Sequence, residues 1–113
     1  MFGYKLRWYR LFESQAELDE IFFGKNTTVY RSMFGEVLLV KQQNKYYAFE
    51  NKCPHQGKPL NDCWIENDQV VCPFHQYHYS LENGRGHGLY LEKYELKIDE
   101  TGVYLGKEGW GFF

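Results

Sequence analysis

Cys53-Pro54-His55-Gln56-Gly57-Lys58-Pro59-Leu60 and, after a spacer, Cys72-Pro73-Phe74-His75 are the stretches that decide how this chain is read. Each offers one thiolate and one imidazole. Two Cys and two His can hold a single tetrahedral zinc, or a two-iron, two-sulfur cluster in which His replaces Cys on one iron. A fold that has lost its metal is the third reading. Mixed zinc fingers keep the cysteines together in one knuckle and the histidines in another. Here each knuckle is mixed, Cys-x-His and Cys-x-x-His. That arrangement suits a cluster gripped from two sides, with two sulfurs on one iron and two nitrogens on the other.

The pair of stretches resembles the Rieske iron–sulfur family. Gly57 and Leu60 stand where that family's first loop, C-P-H-x-G-x-x-L, has them. The resemblance implies an all-β Rieske fold: an antiparallel β-sandwich or barrel with one short N-terminal helix. It implies a single domain over 1–113, with 51–80 as a small cluster-binding subdomain of two loops. One 2Fe-2S cluster per chain would be held by Cys53 and Cys72 on one iron and His55 and His75 on the other. With both irons ferric, two sulfides and two thiolates cancel the metal charge. An added electron then costs less than at a four-cysteine site, and the potential rises. Pro54 and Pro73 stiffen the loops by fixing φ, and Gly57 lets the backbone pass close to the cluster.

The chain also departs from parts of the family. Respiratory-chain members bridge the two loops with a further pair of cysteines, and those positions are Lys58 and Phe74 here. The chain therefore looks like the soluble Rieske ferredoxins. High-potential members place a Ser and a Tyr after the second loop as hydrogen-bond donors to sulfur. This sequence has Tyr77 at the Ser position and Tyr79 at the Tyr position, so the Tyr79 hydroxyl is expected near the Cys53 sulfur.

Composition bounds the rest. A chain of 113 residues is read as one domain with its own core. A net charge of −2 gives no pointer to nucleic acid or to an anionic membrane. No apolar run approaches the roughly 20 residues of a membrane span. Residues 1–10 lack the apolar core of a signal peptide, so a cytoplasmic protein is expected. Of three cysteines, Cys63 is left over, which argues against a disulfide framework. It is read as a small buried hydrophobe. Aromatic residues at 19% suit pleated surfaces and a β-rich fold.

In chain order, residues 5–12 read as a strand, and Ser14-Gln15-Ala16-Glu17 as a capping box opening a helix to about Ile21, with Gly24 ending it. Residues 27–32, 36–42 and 46–50 read as a meander delivering the chain to Cys53. Residues 63–66 and 69–71 form a hairpin around Asn67-Asp68 that presents Cys72. Residues 77–81 leave the second loop, Asn83-Gly84 turns, and Gly84 to Gly88 is expected to be flexible. Residues 89–98 and 103–105 close the fold. His78 and His87 are read as ordinary surface residues. The apolar end, Trp110-Gly111-Phe112-Phe113, is read as packing back on its own sheet rather than as a docking patch.

Nothing in the chain offers a nucleophile or an acid–base pair, so no catalytic residue is assigned. The resemblance implies an electron-transfer component without substrate chemistry of its own, passing electrons from a reductase to an oxygenase or similar enzyme. The alternatives are a small subunit of a larger redox enzyme, similar to the nitrite reductase small subunit, and a non-redox zinc-binding interaction module.

Overall fold

The structure is a computed structural model that describes residues 2–33, 35–74 and 76–112, with the backbone alone for 2–5 and 108–112. Among the described residues the elements run β1 (Phe2–Phe12), α1 (Gln15–Ile21), β2 (Thr27–Ser32), β3 (Gly35–Gln42), β4 (Lys45–Glu50), β5 (Trp64–Glu66), β6 (Gln69–Val71), β7 (His78–Ser80), β8 (Arg85–Gly86), β9 (Leu89–Tyr90), β10 (Lys93–Asp99) and β11 (Gly102–Phe112). A six-stranded antiparallel sheet has the order β1-β11-β10-β4-β3-β2. A three-stranded sheet, β5-β6-β7, and a two-stranded ribbon, β8-β9, complete the molecule. This is an all-β antiparallel architecture with one short helix, as the resemblance implies.

β3 explains how the pieces stack. Side chains alternate along a strand, so a strand with one wet face reads as alternating apolar and polar residues. Val37, Leu38, Leu39 and Val40 are instead all buried. Val37 and Leu39 join one core with Phe12, Leu18, Phe22, Ala48, Val103 and Leu105. Leu38 and Val40 join the other, with Phe49, Leu60, Val70, Tyr79 and the three cysteines. The β3–β4 hairpin is therefore a wall between a helix-capped core and the core beneath the two Cys-His loops.

β10 joins the halves. Lys93 and Tyr94 pair with Phe49 and Ala48 of β4, whereas Glu95 to Asp99 pair with Gly106 to Gly102 of β11. One strand thus changes partner midway and carries the sheet around the first core.

Local chemistry accounts for the turns. Ser14 caps α1, its Oγ accepting from the Glu17 N–H at 3.2 Å. The return contact goes from the Glu13 N–H to Glu17 Oε2, one residue earlier than in a full capping box. Asn67 and Asp68 both have positive φ (52° and 59°), the two-residue turn whose twist matches its strands.

Three expectations need correction. β1 begins at Phe2 and β11 runs to Phe112, because the two pair from Phe2↔Phe112 onward. The C-terminal backbone therefore lies in the main sheet; the side chains of that end, and Phe113 altogether, lie outside the described residues. Residues 89–98 are not one strand: β9 pairs with β8, the Leu91 N–H then bonds the Gly84 carbonyl at 2.7 Å, and β10 starts at Lys93. The glycine-rich segment is tightly packed at Gly84 and Gly86, whereas Gly88 stands in open space. A Cβ at Gly84 would collide with the Leu91 carbonyl, and one at Gly86 with the His78 carbonyl. Glycine serves close backbone approach here.

The two faces of β3 can be separated experimentally. Leu38→Ala and Leu39→Ala should each destabilise the fold by about 2–5 kcal/mol in chemical denaturation. Only Leu38→Ala should perturb the loop side, read as chemical-shift changes at Cys53 and Cys72.

Candidate metal centre

The first loop is built on a buried side chain that the sequence reading passed over. Asn51, only 8% exposed, accepts from the Leu60 N–H at its Oδ1 (2.7 Å) and donates from Nδ2 to Asn61 Oδ1 (2.9 Å). Its own N–H donates to the Glu36 carbonyl on β3. Asn51 therefore clamps the far end of the loop to its start and ties both to the sheet. Its one available signal was a polar residue standing where an apolar strand hands over to a ligand loop. Inside the clamp the Cys53 N–H bonds the Lys58 carbonyl (2.8 Å) and the Gly57 N–H bonds the Cys53 carbonyl (2.6 Å). Gly57 has φ +70°, a conformation that favours glycine in this tight turn.

The second loop leaves β6 and returns as β7. It is closed by the Cys72 N–H on the Tyr77 carbonyl at 2.8 Å, with Gln76 at φ 53° making the reversal. His78 is held by its ring Nδ1 against Gln69 Oε1 at 3.1 Å.

The two loops bring Cys53 and Cys72 together in the second core, at 1% and 0% exposure. All three cysteines are free thiols, and Cys63 is buried in the same core. Cys72 and Cys53 are hydrogen-bonded to one another. Tyr79 is fully buried and its hydroxyl lies 3.5 Å from the Cys53 sulfur. The backbone N–H groups of His55 and Gln56 also point at Cys53, and that of Phe74 at Cys72.

The electrostatics follow from these contacts. Burial pushes the Cys53 thiol up, but the Tyr79 hydroxyl, Cys72 and the two backbone N–H groups together hold it below the ordinary cysteine value. Burial pushes Cys72 up to about 11, with its proton shared toward Cys53 and only the Phe74 N–H and the Lys58 ammonium opposing. Burial drives Cys63 to about 12, a thiol that stays protonated and packs as a hydrophobe. Burial, then the proximity of Cys53, raises Tyr79, so its hydroxyl stays a donor.

His55 is half-buried, and its Nδ1 is shielded from solvent. Its ring stacks on Tyr77 at 4.0 Å between centroids and 23° between planes. Tyr77 in turn stacks on His87 at 4.6 Å and 29°. His87 is exposed as expected, but it is not an ordinary surface residue: its Nε2 accepts the His78 N–H at 3.1 Å. His75, the fourth residue of the candidate set, lies outside the described residues.

Two buried thiols side by side, ringed by inward N–H and O–H donors, fit the sulfur half of the donor set that a mixed sulfur–nitrogen iron cluster requires, whereas among the described residues no three His, Cys, Asp or Glu side chains converge into a complete metal site.

Comparisons with known proteins agree. A family model described as Rieske [2Fe-2S] domain matches residues 8–93. The ferredoxin component of an alkene monooxygenase system from Xanthobacter autotrophicus is 34% identical over 77 residues, 65% of this chain and 63% of that protein. Apoptosis-inducing factor 3 from Homo sapiens is 36% identical over 76 residues, 64% of this chain but 13% of that protein. The chain thus spans under two thirds of each of these relatives. Among solved structures, the ferredoxin of carbazole 1,9a-dioxygenase from Nocardioides aromaticivorans superposes with a TM-score of 0.62. That match covers 71% of this chain and 83% of that one at 21% identity, a likeness of fold.

The donor geometry makes a prediction for the metal-free chain. Tyr79→Phe removes the hydroxyl that favours the Cys53 thiolate, so the Cys53 pKa should rise and less thiolate should be present at a given pH. Titration of the Cys53 Cβ chemical shift reads this, and an unmoved titration would detach Tyr79 from the sulfur.

Proposed function

The chain belongs to the Rieske [2Fe-2S] domain family, and from that premise we propose that it is a one-electron carrier serving an oxygenase or similar redox enzyme. The cofactor is one 2Fe-2S cluster. Bound between the loops, it supplies one-electron exchange in a range of about −150 to +300 mV. Cys53 and Cys72 are its proposed thiolate ligands, and His55 and His75 its proposed imidazole ligands. Residues 51–80 form the cluster-binding part of a single Rieske domain.

The observation that carries this reading is the buried cluster in which the Cys53 sulfur contacts both the Tyr79 hydroxyl and Cys72. Two thiolates in a low-dielectric core need positive charge between them. Inward N–H and O–H groups spread the added negative charge of reduction without reorganising. Asn51 ties both ends of the first loop together and to β3.

The partners are proposed to be a reductase on one side and a terminal oxygenase on the other. The ferredoxin components among its relatives and fold neighbours support this. A second reading is favoured by the likeness to a domain within a much longer protein: the same site would then serve a larger redox assembly. Among the described residues no helix is long and apolar enough to cross a membrane. The remaining cysteine, Cys63, is a buried thiol outside any disulfide, which suits a reducing compartment and supports a cytoplasmic location.

Electron paramagnetic resonance of the purified chain tests the proposal. The expected result is a signal that appears on one-electron reduction and carries nitrogen couplings from two histidines. A colourless, zinc-loaded protein would refute it. In an intact cluster, His55→Cys should lower the potential, because a thiolate adds negative charge where a neutral imidazole sat.

A further inference from the structure

The two loops also meet through a pair of exposed side chains. Lys58 lies in the first loop and Phe74 in the second. The Lys58 Nζ stands 4.4 Å from the centroid of the Phe74 ring. The lysine is anchored at its backbone, because its carbonyl accepts the Cys53 N–H. The phenylalanine is anchored likewise, because its N–H points at the Cys72 sulfur. Each partner is therefore rigidly joined to one thiol-bearing residue, and the contact between them spans the mouth of the site.

The geometry points to Lys58 and Phe74 as a cation–π clasp that closes the rim of the two loops and governs how long the site retains its cluster. Both are positioning residues that act through the loops. An ammonium over a ring face is attracted by the ring quadrupole, and at an exposed site this corresponds to roughly two- to fivefold in an opening equilibrium. The clasp has a second consequence. It fixes a positive charge beside Cys72, and fixed positive charge favours the more negative, reduced form of the site. Lys58 therefore couples retention to potential, which a contact between two apolar residues at the same place would not do. The proposal rests on the cluster-holding reading above for its functional meaning, and on the Lys58–Phe74 distance for its structure.

The test uses the full chain. In the metal-free protein, the ring current of Phe74 should move the Lys58 ε-methylene protons upfield, and Phe74→Leu should abolish that shift. In the loaded protein, Lys58→Met and Phe74→Leu should each speed bleaching of the visible spectrum under a chelator by roughly two- to fivefold. The double variant should bleach no faster than either single one, as expected when both remove the same contact. Lys58→Arg, which keeps a cation over the ring, should restore both retention and potential, while Lys58→Met should lower the potential. Additive single effects, unchanged bleaching, or an Arg variant that behaves like Met would each overturn the clasp. Absence of any cluster in the wild-type chain would defeat the proposed function instead. The clasp would then stand or fall on the ring-current shift alone.

Discussion

Everything near the site depends on one constraint: two cysteine sulfurs are held against each other in a core from which water is excluded. Left to themselves, both would stay protonated, because burial penalises the thiolate. The protein opposes that penalty unevenly. Cys53 receives the Tyr79 hydroxyl and two backbone N–H groups, and it falls below the ordinary cysteine value; Cys72 has fewer donors and rises. The result is a site already biased toward negative charge at one sulfur and short of the positive charge that would settle the pair. A metal centre bound there would supply that charge, and the inward donors would be placed to stabilise negative charge at the sulfurs.

Holding two loops in register needs a rigid base, and β3 provides it. Burial on both faces of Val37 to Val40 is uncommon for an antiparallel strand beside solvent-facing loops. It lets one hairpin serve two cores, so the loops rest on the same wall that the helix-capped core rests on from behind. Asn51 extends the wall into the first loop through bonds to Leu60, Asn61 and the Glu36 backbone. A buried amide with satisfied partners is costly to disturb, so it suits a loop that must not move.

Much of this was legible in the residues. The two loops that bring Cys53 and Cys72 together, the Asn67-Asp68 turn and the offset of Tyr79 from Cys72 are short-range patterns, and these short-range patterns survive translation into structure. Elements that depend on distant partners did not read through. Residues 89–98 look like one strand until Gly84 captures the Leu91 N–H. The glycines at 84 and 86 look like hinges until the Leu91 and His78 carbonyls are seen pressing on them. His87 looks like a surface residue because its stacking on Tyr77, and through Tyr77 on His55, joins three separate segments. Asn51 was hidden for the same reason: its partners lie on a loop and a strand that only the fold brings together.

The central claim is that Tyr79 donates to the cysteine sulfur of a one-electron site, and the reduction potential tests it most directly. A hydrogen bond to a charged acceptor is worth roughly 1.5–3 kcal/mol, of which only part differs between redox states. At about 59 mV per 1.4 kcal/mol for one electron, Tyr79→Phe should lower the potential by roughly 30–80 mV. The visible spectrum should be unchanged, because the ring still fills the core. Protein-film voltammetry on the two proteins decides. A shift under roughly 10 mV with an intact spectrum would contradict the account and leave Tyr79 as packing alone.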